Sequence, residues 1–109
     1  MPSGIAIEDL RLGDGPPVEK GHTVVLHYDG YLNRGDKFRS SRDDGAPIEF
    51  VVGRRTVIAG LEQGVVGMRV GGIRRIVVSP HLAYRDEGVE GIVPPNAVLR
   101  FEVELLEVR

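Results

Sequence analysis

Histidine, paired acids, paired arginines and serine are the residues here that could do chemistry, and their spacing argues against most of it. His22, His27 and His81 are scattered, with no two-apart or four-apart spacing to share a metal. Asp43-Asp44 and Asp86-Glu87 lack the regular oxygen spacing of a calcium loop and read as solvated loop charge. Arg54-Arg55 and Arg74-Arg75 invite a phosphate or nucleic-acid reading. Neighbours on a strand face opposite ways, however, so Arg74 and Arg75 read as solvated or ion-paired. Gly60, Gly64 and Gly67 do not follow a strand in dinucleotide-binding order. Ser40 and Ser41 have no histidine and acid evidently arranged as a triad, and local turn hydrogen bonds explain them better. An apolar set is left: Tyr28, Phe38, Ile48, Phe50, Val57, Ile58, Leu61, Tyr84, Ile92 and Phe101. It reads either as plain core or as an aromatic-lined pocket. Two tyrosine hydroxyls that need partners if buried, and several positions at loop edges, keep the pocket open as an alternative.

The elements that must position these residues follow from patterning. A chain of 109 residues suits one domain, spanning 1–109 with residues 1–4 as a loose arm. Net charge −2 disfavours a nucleic-acid partner, and the lack of cysteine removes disulfides and thiol chemistry. No apolar run is long enough to span a membrane and no signal peptide is seen, so the expected address is cytoplasmic. Ile58, Leu61, Val65 and Met68 recur at helical steps, which predicts a helix over Val57–Met68. Val57 and Val66 widen its apolar face, Thr56 is its candidate cap and Gly67 or Gly71 its stop. Gly60 and Gly64 are poor helix residues, so packing must hold it.

Strands surround that helix. Ile5, Ile7, Leu10 and Leu12 suggest a weak first strand. Thr23–Tyr28 is a strand with Val24, Leu26 and Tyr28 on one face, and Asp29-Gly30 and Asn33-Arg34-Gly35-Asp36 are turn signals around Tyr31-Leu32. A short strand carries Phe38, and residues 39–47 read as a polar surface loop. Ile48, Phe50 and Val52 face inward on the next strand. Ile73–Ser79 is another. Residues 80–97 form a long irregular loop whose apolar residues argue against disorder. In Val98–Val108, Leu99, Phe101, Val103 and Leu105 point in, and the broken phase at Leu106-Glu107-Val108 predicts a bulge or an end. Strands, one helix, then strands favour an α+β fold with an antiparallel sheet.

Taken together, the chain resembles the FKBP-type peptidyl-prolyl cis-trans isomerases, the macrolide-binding family. The resemblance is carried by His27-Tyr28-Asp29-Gly30, Lys37-Phe38-Arg39-Ser40-Ser41-Arg42-Asp43, Val57-Ile58-Ala59-Gly60-Leu61-Glu62-Gln63-Gly64-Val65, Ser79-Pro80-His81-Leu82-Ala83-Tyr84, Gly91-Ile92-Val93-Pro94-Pro95-Asn96-Ala97 and the last long strand. It implies a half-wrapped antiparallel sheet of about five strands around one short helix. It also implies a proline pocket from Tyr28, Phe38, Phe50, Val57, Ile58, Leu61, Tyr84 and Phe101, with Ile92 and Val93 from the long loop and Val89 near its tip. The Ile58 N–H and the Tyr84 hydroxyl would be donors to substrate.

Several positions depart from the family pattern. Leu61 stands where many members carry tryptophan, Arg39 where aspartate is common, and Asp44 where a base occurs, which suggests a reversed ion pair. Ile48 replaces an aromatic, and Arg85 follows Tyr84 where glycine is common. The expected activity is prolyl cis-trans isomerisation without cofactor or metal, at reduced efficiency. The expected partners are proline-containing peptides and unfolded proteins, with macrolide inhibitors bound weakly, and the expected state is a monomer. A weakly catalytic peptide-holding module of the same fold is the alternative.

Overall fold

The computed structural model describes residues 4–33 and 35–109. The expected N-terminal arm lies outside the described residues except for Gly4, whose carbonyl accepts the Ser79 N–H at 2.8 Å. Seven elements frame the chain: β1 (Ile5–Arg11), β2 (Thr23–Leu32), β3 (Lys37–Ser40), β4 (Ile48–Val51), α1 (Ala59–Val65), β5 (Ile73–Val78) and β6 (Leu99–Val108). The strands form a six-stranded antiparallel sheet in the order β1-β5-β6-β2-β3, with β4 also paired to β2. β4 takes the first half of β2, opposite Thr23 to Leu26, and β3 takes the stretch opposite Asp29 to Tyr31.

Alternation decides which face is buried. Val24 and Leu26 on β2, Ile76 and Val78 on β5, and Leu99, Phe101, Val103 and Leu105 on β6 all close into one core with Val65 and Met68. The phase break at the end of β6 is a bulge: Val25 pairs with Glu107 and Leu26 with Leu105, leaving Leu106 as the extra residue.

Asp29-Gly30 does not turn the chain. β2 runs through it to Leu32. A Cβ on Gly30 would lie 2.9 Å from Phe38 Cζ and 3.1 Å from Phe101 Cε1, so this glycine makes room for two rings. The turn comes later, where Gly35 N–H donates to Leu32 O at 2.8 Å.

α1 is shorter than its periodicity predicts. Ile58, not Thr56, is its N-cap, with no side-chain hydrogen bond. The Arg55 N–H just before it is held by Glu62 Oε2 at 3.1 Å. Gly67, at φ 91°, turns the chain out, and Met68 is buried beyond the helix end. Val66 faces solvent and does not widen the apolar face.

The two helix glycines have a packing reason. A Cβ on Gly60 would sit 2.2 Å from Val78 Cγ1, and one on Gly64 would sit 2.6 Å from Ile76 Cδ1. They let α1 lie directly on β5, closer than any side chain would allow. Of the two states expected for Arg74, solvated or ion-paired, the structure shows the ion pair, and Arg74 is buried. It shares the inner face of β5, is 5% exposed, pairs with Asp9 at 2.7 Å, and donates to the Gly64 and Val66 carbonyls at 2.9 Å each. Its guanidinium satisfies carbonyls left open at the end of α1. Arg75 faces the other way and pairs with Glu8 at 2.9 Å. No helix among the described residues is long and apolar enough to cross a membrane.

Candidate active site

The sheet wraps α1 incompletely, and the gap is a cavity of about 570 Å³. Each element contributes the side chains its geometry dictates. β2 supplies Tyr28, next inward after Val24 and Leu26. β3 supplies Phe38 and Arg39, and β4 supplies Ile48, Glu49 and Phe50. The stretch entering the helix adds Arg55, Thr56, Val57 and Ile58. Leu61 comes from the first turn of α1, Tyr84 from the long loop and Phe101 from β6.

Phe101 is the hub. Its ring centroid lies 6.0 Å from that of Tyr28, tilted 54°, and 6.0 Å from that of Phe38, edge-on at 76°. Gly30 lies against the Phe38 and Phe101 rings, and a Cβ there would crowd both. Phe50, Leu61 and Phe101 are buried, while Tyr28, Phe38, Val57, Ile58 and Tyr84 are half-buried and pack on the core. The walls are therefore rigid and largely apolar.

Polar groups from Tyr28, Arg39, Glu49, Arg55, Thr56 and Tyr84 stand around that apolar surface. The Ile58 N–H meets no acceptor among the described residues, as expected at the open end of a helix. The Tyr84 hydroxyl has none there either. Burial pushes the Tyr28 phenol above its ordinary pKa; Arg39 opposes that shift, and Tyr84 and Asp44 add to it. Tyr28 is thus a neutral hydroxyl at neutral pH. Arg39 Nε lies 3.8 Å from Asp44 Oδ2, with both side chains exposed, so the reversed pair exists but is loose. No cluster of metal-ligating side chains occurs among the described residues.

Four expected site residues lie elsewhere. Asp44 meets Arg39 from outside and does not line the cavity. Val89 and Val93 bond to each other through N–H···O contacts of 2.8 Å each, which folds the tip of the long loop back on itself. Val93 is 4% exposed and belongs to the core, whereas Ile92 is 49% exposed and lines a separate hollow with Pro94 and Pro95. Glu49, Arg55 and Thr56 line the cavity although the patterning gave no sign of it. Glu49 sits between inward neighbours on β4 and is tied to Arg109 at 2.8 Å. Arg55 and Thr56 lie in a turn without periodicity, Arg55 at φ 59°.

Ser40 and Ser41 are buried and spent on structure. Ser41 Oγ accepts the Tyr28 N–H at 2.8 Å and meets His27 Nδ1 at 2.9 Å. The sequence did not suggest that contact. At 1% exposure Ser41 is no nucleophile for a substrate.

Comparison with known proteins gives a consistent answer. Residues 15–106 match the family described as FKBP-type peptidyl-prolyl cis-trans isomerase. Peptidyl-prolyl cis-trans isomerase FKBP1A of Xenopus laevis is 49% identical over 106 residues, covering 96% of this chain and 98% of that one. FK506-binding protein 1A of Neurospora crassa is 41% identical over 107 residues, covering 97% and 89%. The crystal structure of AtFKBP13 superposes with a TM-score of 0.91 at 36% identity, covering 99% of this chain and 95% of that one. FkpA from Escherichia coli superposes at 0.88 and 36% identity, over 98% of this chain and 49% of that one. With an antiparallel sheet wrapped on one short helix and an aromatic cavity where they part, this chain belongs to the FKBP-type peptidyl-prolyl cis-trans isomerase family.

Proposed function

We propose that the aromatic cavity between Tyr28, Phe38, Phe101 and α1 takes the proline ring and lowers the barrier to X–Pro rotation by its environment alone. That barrier is about 18–20 kcal/mol because the C–N bond has partial double-bond character. The planar amide is more polar than the twisted one. A dry apolar wall therefore disfavours the planar form relative to the twisted form, and each ~1.4 kcal/mol of that difference is worth about tenfold in rate.

The Ile58 N–H carries the reading, because it is a free donor at the edge of a cavity whose floor is aromatic and aliphatic. Its role is constrained by the same resonance argument. A donor on the oxygen of the rotating amide would stabilise the planar form and raise the barrier. Ile58 N–H must instead hold a flanking carbonyl, which anchors the chain while the prolyl bond turns. The Tyr84 hydroxyl is a second donor at the rim. No bond is broken, so the mechanism asks for no nucleophile, general base or metal.

The natural substrates on this reading are proline-containing segments of folding proteins, in the cytoplasm, acted on by one monomeric domain. Macrolides enter the same cavity less well than in relatives with aspartate and tryptophan, because Arg39 and Leu61 replace them. The test is kcat/KM for a Leu-Pro peptide, measured in H2O and in D2O across neutral pH. Acceleration with an isotope ratio near unity is expected. A ratio well above unity would mean proton transfer in the rate-limiting step. Binding without acceleration would make the protein a holding module.

A further inference from the structure

The groove continues beyond the proline cavity. A second hollow of about 520 Å³ adjoins it, and Arg55 and Val57 line both. Lys20, Arg55 and Arg85 face this second hollow, and Glu62 is the acidic residue in its lining. Glu62 is already engaged, since Oε2 accepts the Arg55 backbone N–H at 3.1 Å. Elsewhere most basic side chains are matched: Arg42, Arg74, Arg75 and Arg109 each hold a carboxylate. Among the described residues, no carboxylate pairs with the side chain of Lys20, Arg55 or Arg85. In a chain of net charge −2, three unmatched cations around one hollow are a local reversal of sign.

The backbone adds a second observation. Arg55 and Arg85 both sit in the left-handed region, at φ 59° and 55°. Residues other than glycine rarely adopt that region, and such strain gathers at ligand sites. Here both strained positions carry guanidinium groups, and both border the same hollow.

We propose that this cationic hollow sets substrate preference, so that the enzyme favours prolyl bonds with an acidic side chain a few residues away. The proposal rests on the cavity beside it being the proline site. An extended peptide advances about 3.3 Å per residue, so a residue near the proline reaches Arg55, and one slightly farther reaches Lys20 and Arg85. Exposed charge pairs are individually weak, and several acting together give an expected preference of about three- to tenfold for Glu over Gln. Carboxylate and phosphate share the required chemistry, and the guanidinium forks suit either.

The test uses the whole chain and a peptide series with Glu, phosphoserine, Gln or Lys placed in turn at the residues flanking the proline. Turnover is measured at low and high salt, for the wild type, Arg55→Gln and Arg85→Gln. At one or more positions the anionic peptides should exceed Gln by about three- to tenfold in kcat/KM, with Lys below Gln. That ratio should shrink toward unity in both variants and at high salt. Phosphoserine above Glu would favour a phosphate, and the reverse order a carboxylate. Equal turnover of Glu, Gln and Lys peptides at every position would overturn the proposal and leave the isomerase reading intact. So would an anion preference that survives both substitutions. If no peptide is accelerated, neutral ones included, the isomerase reading itself fails.

Discussion

Gly60→Ala sets two effects of opposite sign against each other. Alanine is a better helix residue than glycine by about 1 kcal/mol, so on propensity alone the variant is more stable. The structure says otherwise. The new Cβ would lie 2.2 Å from Val78 Cγ1, 2.8 Å from Cγ2 and 3.0 Å from Cβ. Carbon atoms pack at about 3.5–4.0 Å, so the overlap exceeds 1 Å by roughly this reckoning. Rotating Val78 does not relieve it, because its own Cβ is too close and its β-branched side chain is stiff. Val78 is fully buried on β5, so α1 must move off the sheet. Overpacking of this kind costs about 1–3 kcal/mol or more. With the helix gain of about 1 kcal/mol set against that cost, net destabilisation of up to about 2 kcal/mol follows, with a fall in Tm of several degrees. Ile58 and Leu61 flank the displaced turn, so kcat/KM should fall with stability. Urea unfolding reads the first effect as a lower midpoint at unchanged slope. Gly64→Ala, whose Cβ would meet Ile76 Cδ1 at 2.6 Å and the branched Cγ2 at 2.7 Å, should be destabilising for the same reason. A Gly60→Ala protein more stable than wild type would refute the account of how α1 is seated.

Three other outcomes are expected. Arg39→Asp combined with Leu61→Trp should tighten macrolide binding by about tenfold or more in calorimetry, which is ~1.4 kcal/mol; unchanged affinity would mean these two positions do not set it. Arg85→Gly should raise stability by about 0.5–1 kcal/mol in urea, because relief of the left-handed strain at φ 55° outweighs the greater freedom of glycine in the unfolded chain. The Tyr28 phenol, raised chiefly by burial, should titrate above its ordinary value of about 10 when phenolate absorbance is followed. Since its folded pKa lies above its unfolded one, its contribution to stability is complete below that unfolded value. It is lost as pH rises through the folded pKa, and Tyr28→Phe should flatten that alkaline decline.

What could be read from the sequence was what depends on neighbours along the chain. β6 was legible because one face is wholly buried, so Leu99, Phe101, Val103 and Leu105 alternate cleanly and the bulge at Leu106 shows as a break in phase. The apolar stripe at the start of α1 is legible in the same way, whereas patterning leaves the aromatic set open between core and pocket, and only the family resemblance points to a pocket. What escaped depends on contacts between distant residues. Gly30 reads as a turn residue until Phe38 and Phe101 are seen to need its missing side chain. Arg74 reads as solvated or ion-paired, but its burial shows only once Asp9 and the end of α1 close around it. The resemblance implies that Val89, Ile92 and Val93 join the pocket, yet none of them lines the cavity, and the Val89–Val93 bridge folds the loop tip back on itself. Arg55 was invisible as a wall residue because a non-periodic turn gives no phase to read.

Exchange NMR on a Leu-Pro peptide tests the central claim most directly, because cis and trans signals are followed without a coupled reaction. With the wild type at catalytic concentration, exchange cross-peaks between the two isomers should appear on a timescale where the free peptide shows none. Phe101→Ala, which removes the ring that Tyr28 and Phe38 pack against, should cut that exchange by about tenfold or more while the peptide still binds. Exchange at the uncatalysed rate with the wild type, or undiminished exchange with Phe101→Ala, would contradict the account.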